Sequence, residues 1–276
     1  MSKVTPFLRW AGGKAWLTNS VRNLIENLEF KNYYEPFLGG GAIFFSLNFP
    51  KTVYLSDINE ELINAYTVVR DNPEPLIEII QGYAYSEEEY YRVRALETVD
   101  NIERAVRFIY LNHTSYNGLY RVNRSGKYNV PYGRITSVYD PQLILAASSK
   151  LQKVRLNCED FAARKSKIRP GDLVFMDPPY SVSRKPNGNG FIAYNQDLFS
   201  LTEQYRLKEY IDHIKRKGAY YILTNSAHET IREIFDNGDR MITLQRNSVI
   251  GGKNSVRGKI SEYLFTNIPE IGDDHV

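Results

Sequence analysis

The residues Asp177-Pro178-Pro179-Tyr180 could do chemistry. They follow directly on Leu173-Val174-Phe175-Met176, an apolar run that reads as a buried strand. Two prolines fix φ twice and remove two backbone donors, so the turn offers acceptors: the Asp177 carboxylate and the Pro178 carbonyl. Tyr180 adds a flat ring. Such a turn suits an NH₂ group on a planar heterocycle, with its two hydrogens on the two acceptors and its ring stacked on the tyrosine. The lone pair of that amine is delocalised and nucleophilically poor. Two acceptors favour a pyramidal nitrogen, which can attack an activated methyl group in line. The rate then comes mostly from positioning and electrostatics. A rigid strand-end turn is the plainer reading of the same residues.

A second candidate lies upstream. Glu35-Pro36-Phe37-Leu38-Gly39-Gly40-Gly41-Ala42 follows a short strand and opens a helix. Glycines permit positive φ and close approach of a ligand, and a helix start supplies N–H donors. Asp57 ends the next strand, sixteen residues after Gly41. In nucleotide-binding α/β folds an acid there binds ribose hydroxyls. The spacing is not G-x-G-x-x-G and carries no Walker lysine, which argues against NAD and ATP. Alone, this loop is equally compatible with a tight structural turn.

The elements that must position these groups are legible in part. Helical spacing is expected over 15–29, 59–70, 74–81, 201–216 and, in patches, 86–112. Strands are expected at Tyr33–Phe37, Val53–Ser56, Val154–Leu156, Leu173–Met176 and Ala219–Leu223. Met241–Leu244 and Ser261–Phe265 read as a closing antiparallel pair. Residues 113–141 are rich in Asn, Gly, Ser, Tyr, Pro and Arg and read as loops and short hairpins. Strand–loop–helix units on both sides of an interruption at about 60–150 predict a doubly wound α/β sheet with an inserted helical and loop module.

Charge is unevenly placed along the chain. Residues 104–134 hold six basic side chains and no acid, residues 240–259 five and none, and residues 1–22 four and none. Residues 55–103 hold twelve acids against three arginines. A basic face for a polyanion is one consequence, ordinary surface scatter the other. No apolar run approaches the ~18 residues of a membrane helix. The start has no apolar leader, and Cys158 is the only cysteine, which fits a reducing cytoplasm. The four histidines form no ligand cluster, so no metal is expected.

From Phe7 to Thr266 the motifs, in order, resemble the Dam-type DNA adenine-N6 methyltransferases, the α-group amino-methyltransferases. Phe7-Leu8-Arg9-Trp10-Ala11-Gly12-Gly13-Lys14 is similar to the first cofactor motif, Glu35-Pro36-Phe37 with Gly39 and Gly41 to the cofactor loop, and Asp57-Ile58-Asn59 to the ribose motif. Asp177-Pro178-Pro179-Tyr180 is similar to the catalytic motif. The resemblance implies a Rossmann-like methyltransferase sheet over 1–58 and 152–276, with a mostly helical target-recognition domain and β-hairpin over 59–151. It implies S-adenosylmethionine as cofactor, with Trp10, Lys14, Glu35, Phe37, Gly39, Gly41, Asp57, Ile58, Asp160, Phe161 and Asp177 around it. For Trp10 and Phe161, core packing is the alternative. Asp177, Pro178 and Tyr180 become the catalytic residues, acting on N6 of adenine.

The resemblance also implies double-stranded DNA as partner. Tyr116-Asn117-Gly118-Leu119-Tyr120-Arg121 is similar to the hairpin that enters DNA, where the aromatic–Asn pair wedges into the stack and Leu119 and Arg121 read a base pair. An arginine fork matches guanine O6 and N7. Asn129, Pro131 and Arg134 fall in a second recognition segment, and Arg9 falls where relatives carry a reader of the first base. Arg124, Lys127 and Arg134 are expected on phosphate or in solvent. Phe191 and Tyr194 match a segment that holds the flipped base, and flipping is required because N6 lies inside a stacked pair. Residues 248–259 are expected to clamp the backbone. The match implies GATC as the site, with a longer site such as GATATC as an alternative. Cytosine-N4, protein-glutamine and ribosomal-RNA methylation, and a DNA-binding protein that keeps the cofactor without turnover, are the competing functions. A separately acting restriction endonuclease is a possible partner.

Overall fold

The computed structural model describes residues 4–123, 125–134, 140–180, 199–247 and 259–270. In chain order these form α1 (Thr18–Ile25), β1 (Tyr33–Glu35), α2 (Ala42–Ser46), β2 (Val53–Asp57), α3 (Glu60–Asp71), α4 (Pro73–Gln81), α5 (Glu87–Ala95) and α6 (Asn101–Thr114). There follow α7 (Pro141–Leu151), β3 (Val154–Cys158), β4 (Leu173–Met176), α8 (Leu201–Arg216), β5 (Tyr220–Ser226), α9 (Glu229–Phe235), β6 (Arg240–Asn247) and β7 (Lys259–Thr266). The fold is mixed α/β, with seven strands. By contact the chain divides into two compact units: Met1–Arg22 with Leu38–Asp160, and Asn23–Phe37 with Phe161–Val276.

In the first unit β2 and β3 pair in parallel, in register from Val53↔Val154 to Asp57↔Cys158. Helix α3 packs on α6 and α7 and buries Leu62, Ala65, Tyr66 and Val69. The helix starts are capped by side chains the sequence supplies. Asn59 accepts from Leu62 N, Ser86 from Glu89 N, and Asp100 from Ile102 N and Glu103 N. Three glutamates fill the first turn of α5 and two arginines its last, which suits the helix dipole.

In the second unit the strand order is β1-β4-β5-β7-β6. β1, β4 and β5 are parallel, and β7 runs antiparallel to both β5 and β6. All four residues of β4 are buried, as expected for a parallel strand covered on both faces. Leu207, Tyr210, Ile211 and Ile214 line the buried face of α8.

The strands fall within a few residues of expectation, and α8 begins and ends where the periodicity places it. The expected helix over 15–29 is shorter: Ala15–Leu17 is a 3₁₀ turn, and after Ile25 the chain closes in turns, with Leu28 N bonded to Ile25 O. The stretch 86–112 splits into α5 and α6, because Asp100 caps a new start. Two helices were not anticipated. In α7, Pro141 occupies the first turn, where its missing N–H costs nothing, behind the Asp140 cap. α9 spans seven residues behind a His228 cap. Among the described residues no helix is long and apolar enough to cross a membrane.

Candidate active site and nucleic-acid interface

The carboxyl ends of β1, β2 and β4 carry Glu35, Asp57 and Asp177. In the first unit, the glycine loop is held by Asp57. Its Oδ2 accepts from Gly39 N at 3.0 Å and its Oδ1 from Asn59 N at 3.0 Å. Burial pushes the Asp57 carboxyl above its ordinary value, while the backbone N–H groups of Gly39, Asn59 and Ile58 pull it down. The Tyr66 hydroxyl donates to Gly39 O at 3.2 Å. Gly39 and Gly41 sit at φ +47° and +65°. A Cβ on Gly39 or Gly40 would lie 2.8 Å from the Trp10 side chain, and one on Gly41 would lie 2.8 Å from the Tyr66 hydroxyl. Gly39 and Gly40 are therefore required by the indole packed on the loop, and Gly39 and Gly41 by backbone conformation. Helix α2, Ala42–Ser46, is the helix start the loop was expected to open.

Around this loop Lys14 is buried and donates to Gly12 O at 3.1 Å. Trp10 stacks with Tyr120, their centroids 6.0 Å apart. Ile58 is 79% exposed, a large apolar side chain beside the Asp57 carboxylate. Asp160 is half-buried beyond the end of β3.

The second unit holds the other half of the expected cofactor set and the expected catalytic turn. Glu35 is 2% exposed and accepts from the Tyr33 hydroxyl at 2.7 Å. Burial, and then the Glu35 charge, hold the Tyr33 phenol well above its usual range. Phe37 stacks on Phe161 at 5.3 Å, and the Arg206 guanidinium lies 4.8 Å from the Phe161 ring. Phe161 therefore packs against Phe37 and Arg206 within this unit.

Asp177 follows β4, and its Oδ1 accepts from the Thr224 hydroxyl at 2.7 Å. Thr224 lies on β5, next to Asn225, whose amide donates to Gln204 Oε1 at 3.0 Å. Pro178 is buried, Pro179 is exposed, and the Tyr180 ring is half-buried. The carboxylate expected to accept an amine hydrogen is thus aimed by a hydroxyl on the neighbouring strand. Sequence reading missed Thr224, although Thr224-Asn225-Ser226, a polar run closing an apolar strand, is a signal that could have found it.

Back in the first unit, the segment expected to enter DNA forms a hairpin. Ser115 bridges Tyr132 and Val122 bridges Tyr128 in antiparallel sense, and Tyr116 N donates to Pro131 O at 2.9 Å. Tyr116, Asn117, Arg121, Pro131 and Arg134 are exposed, and Leu119 is half-buried. Asn117 takes a left-handed φ of +55° within the 3₁₀ turn Tyr116–Gly118, near the start of the hairpin. Arg121 donates from Nε to Asn129 Oδ1 at 2.7 Å and from Nη2 to Asn129 O at 3.1 Å. A cavity of about 1030 Å³ lies beneath the hairpin, lined by Arg94, Arg107, Phe108, Tyr120 and Tyr128 among others.

Arg9 is brought to the hairpin by Asn112, which sequence reading missed. The Asn112 side chain accepts from Arg9 N at 2.8 Å, donates to Arg9 O at 2.6 Å, and donates to Gly118 O at 3.2 Å. Phe191, Tyr194, Arg124 and residues 248–258 lie outside the described residues. Among the described residues no group of His, Cys, Asp and Glu is placed to hold a metal ion.

Comparison with known proteins places this geometry in context. Residues 10–250 match the family model of D12 class N6 adenine-specific DNA methyltransferases. The chain is 34% identical over 274 residues to the Type II methyltransferase M1.LlaDCHI of Lactococcus lactis subsp. cremoris, covering 95% of each chain. It is 36% identical over 248 residues to the Type II methyltransferase M.MjaIII of Methanocaldococcus jannaschii, covering 81% of this chain and 85% of that one. It is 31% identical over 279 residues to the DNA adenine methylase of Escherichia coli strain K12, covering 98% of each.

Proposed function

The chain belongs to the D12 class of N6 adenine-specific DNA methyltransferases, and from that premise we propose that it methylates N6 of a flipped adenine within GATC in double-stranded DNA. The cofactor is S-adenosylmethionine, which supplies a methyl group on a cationic sulfur. The observation that carries the reading is the Thr224–Asp177 hydrogen bond at the carboxyl end of β4. It fixes a carboxylate where an amine hydrogen must be accepted. Pro178 offers its carbonyl for the second hydrogen, and the Tyr180 ring stacks on the base.

The residues suit that cofactor. Exposed Ile58 offers an apolar face for an adenine ring, and Asp57, already holding Gly39, keeps further lone pairs for ribose hydroxyls. Trp10, Lys14, Glu35, Phe37, Gly41, Asp160, Phe161 and Asp177 complete the proposed set. No metal is assigned a role.

Residues 59–151 act as the recognition module on a methyl-transfer domain of 1–58 and 152–276. The GATC assignment rests on the resemblance at Arg9, Tyr116–Arg121 and Pro131. Asn117, Leu119, Asn129 and Arg134 belong to the same surface, and Phe191 and Tyr194 are proposed to hold the flipped base. Arg121 supports base reading chemically, since Asn129 occupies Nε and one Nη2 hydrogen and leaves the end of the fork for guanine. The enzyme would act in the cytoplasm, and a separate restriction endonuclease is compatible with the role. Asp177→Ala tests the mechanism: turnover should vanish while cofactor affinity stays within a few-fold. Near-normal turnover would refute it.

A further inference from the structure

Six cations meet at the amino ends of β1, β4 and β5, and the catalytic turn does not use them. Lys31, Lys165, Lys167, Arg169, Arg216 and Lys217 come from three chain segments. Backbone bonds hold those segments together. Lys31 N donates to Gly171 O at 2.7 Å, and Gly171 N donates to Gly218 O at 2.8 Å. The His213 ring nitrogen Nε2 lies 2.9 Å from Lys165 O, and Lys217 N donates to His213 O at 3.1 Å. The Lys31 side chain passes 3.5 Å from where a Gly171 Cβ would be. Burial pushes the His213 imidazole below its ordinary value, and the charges of Lys165, Lys217 and Arg216 push it further, so they share one neighbourhood.

Five of the six are exposed and Lys165 is half-buried. None forms an ion pair with a described acid, whereas the nearby acids are already engaged. Asp172 turns inward to Asn32 and to Arg169 N, Asp212 pairs with Lys208, and Asp239 pairs with Lys215. Residues 161–171 and 213–219 hold seven cations and no acid. Like charges this close repel; Arg169 Nη1 donates to the Ser166 and Ile168 carbonyls and Arg216 Nε to the Asp212 carbonyl, neutral acceptors that leave the charge in place.

The patch is remote from the chemistry. β4 runs from Leu173 to Met176, with the patch before it and Asp177 after it. The extended chain from Gly171 to Asp177 spans about 20 Å. That is more than twice the ~8 Å screening length at physiological salt. A duplex at the catalytic end therefore does little to neutralise these charges. The partner must be a second polyanion, contacted through a regularly charged backbone.

We propose that this patch is a second, sequence-independent binding surface for duplex DNA, which lets one molecule hold a distant segment while the other end of its sheet works on a target. This rests on the reading of DNA as substrate. The contacts are to phosphate, from four lysines and two arginines, so they carry no base preference. If all six engage, log affinity should fall against log salt with a slope of about −5.

The test uses the full chain and two populations of short duplexes, one labelled with a donor dye and one with an acceptor. At low salt the wild type should bring the dyes together. Lys165→Glu/Lys167→Glu/Arg216→Glu/Lys217→Glu should lower that signal at least ~10-fold, with the slope reduced by about 0.9 per lost contact. Methyl transfer to a single short duplex should stay within about two-fold, which shows that the variant is folded and reports separately on the reading it rests on. The corresponding Gln variant should show an intermediate loss. Energy transfer that persists in the charge-reversed protein, or is absent from the wild type, overturns the proposal. So does binding of phosphatidylserine vesicles that DNA does not displace.

Discussion

The Tyr180 hydroxyl donates to the Glu262 carboxylate at 2.5 Å, which ties the turn after β4 to β7. Glu262 is 1% exposed and opposes Ser226 across the β5–β7 pair. The ring proposed to stack on the base is thus fixed at its far end by a buried acid. Tyr180→Phe keeps the ring but removes a donor to a buried charge, at a cost of about 1–3 kcal/mol in stability. It should lower the unfolding midpoint and keep turnover within about ten-fold of wild type, whereas Tyr180→Ala loses turnover because stacking needs the ring. Thermal unfolding and kcat measured on both variants check this. Equal loss of kcat in both would assign the role to the hydroxyl.

Gly39→Ala should damage the cofactor site twice over. The added Cβ meets the Trp10 indole at 2.8 Å, at a φ of +47° that alanine disfavours. Strain of about 1–3 kcal/mol corresponds to roughly ten-fold or more in affinity for S-adenosylhomocysteine, read by calorimetry. Unchanged affinity would mean that the loop does not carry the cofactor.

Arg121→Ala should cost about 1–3 kcal/mol at one guanine and relax discrimination there. Methylation rates on duplexes substituted at each position of the site read this directly. Uniform weakening across all of them would place Arg121 on phosphate. Asn129→Ala, which removes the side-chain acceptor for Arg121 Nε, should show a smaller loss at the same position.

His113 makes the Arg9–hairpin junction sensitive to acid. Its Nε2 lies 2.7 Å from Phe7 O, so that nitrogen donates. Burial, and then the Arg9 charge, hold its pKa below the ordinary 6.5, against the Phe7 carbonyl, which raises it. The unfolded chain therefore takes up a proton that the folded chain resists. Stability is fully present above pH 6.5 and declines as pH falls below it, levelling off beneath the folded pKa. Denaturant unfolding from about pH 7.5 to about pH 5.5 should show that slope in the wild type and less of it in His113→Gln. Identical slopes in the two proteins would remove His113 from the account.

Local signals were legible and long-range ones were not. The turn proposed to be catalytic could be read because two prolines and an apolar strand dictate its form within eight residues. α8 could be read because sixteen residues keep one period. Thr224, Glu262 and Asn112 act on partners 47, 82 and 103 residues away, which only the paired strands and packed helices bring close. Nothing in their own neighbourhoods marks them except polarity within an apolar stretch. α7 was hidden because Pro141 after a polar loop reads as a breaker until Asp140 is seen to cap it.

The most direct measurement is methyl transfer from labelled S-adenosylmethionine to three unmethylated duplexes, one carrying GATC, one GATATC and one neither, with the modified nucleosides identified after digestion. The account predicts N6-methyladenine on the GATC duplex alone. N6-methyladenine only on GATATC would keep the chemistry and contradict the site. N4-methylcytosine, or no label on any duplex while the cofactor still binds, would contradict the central claim.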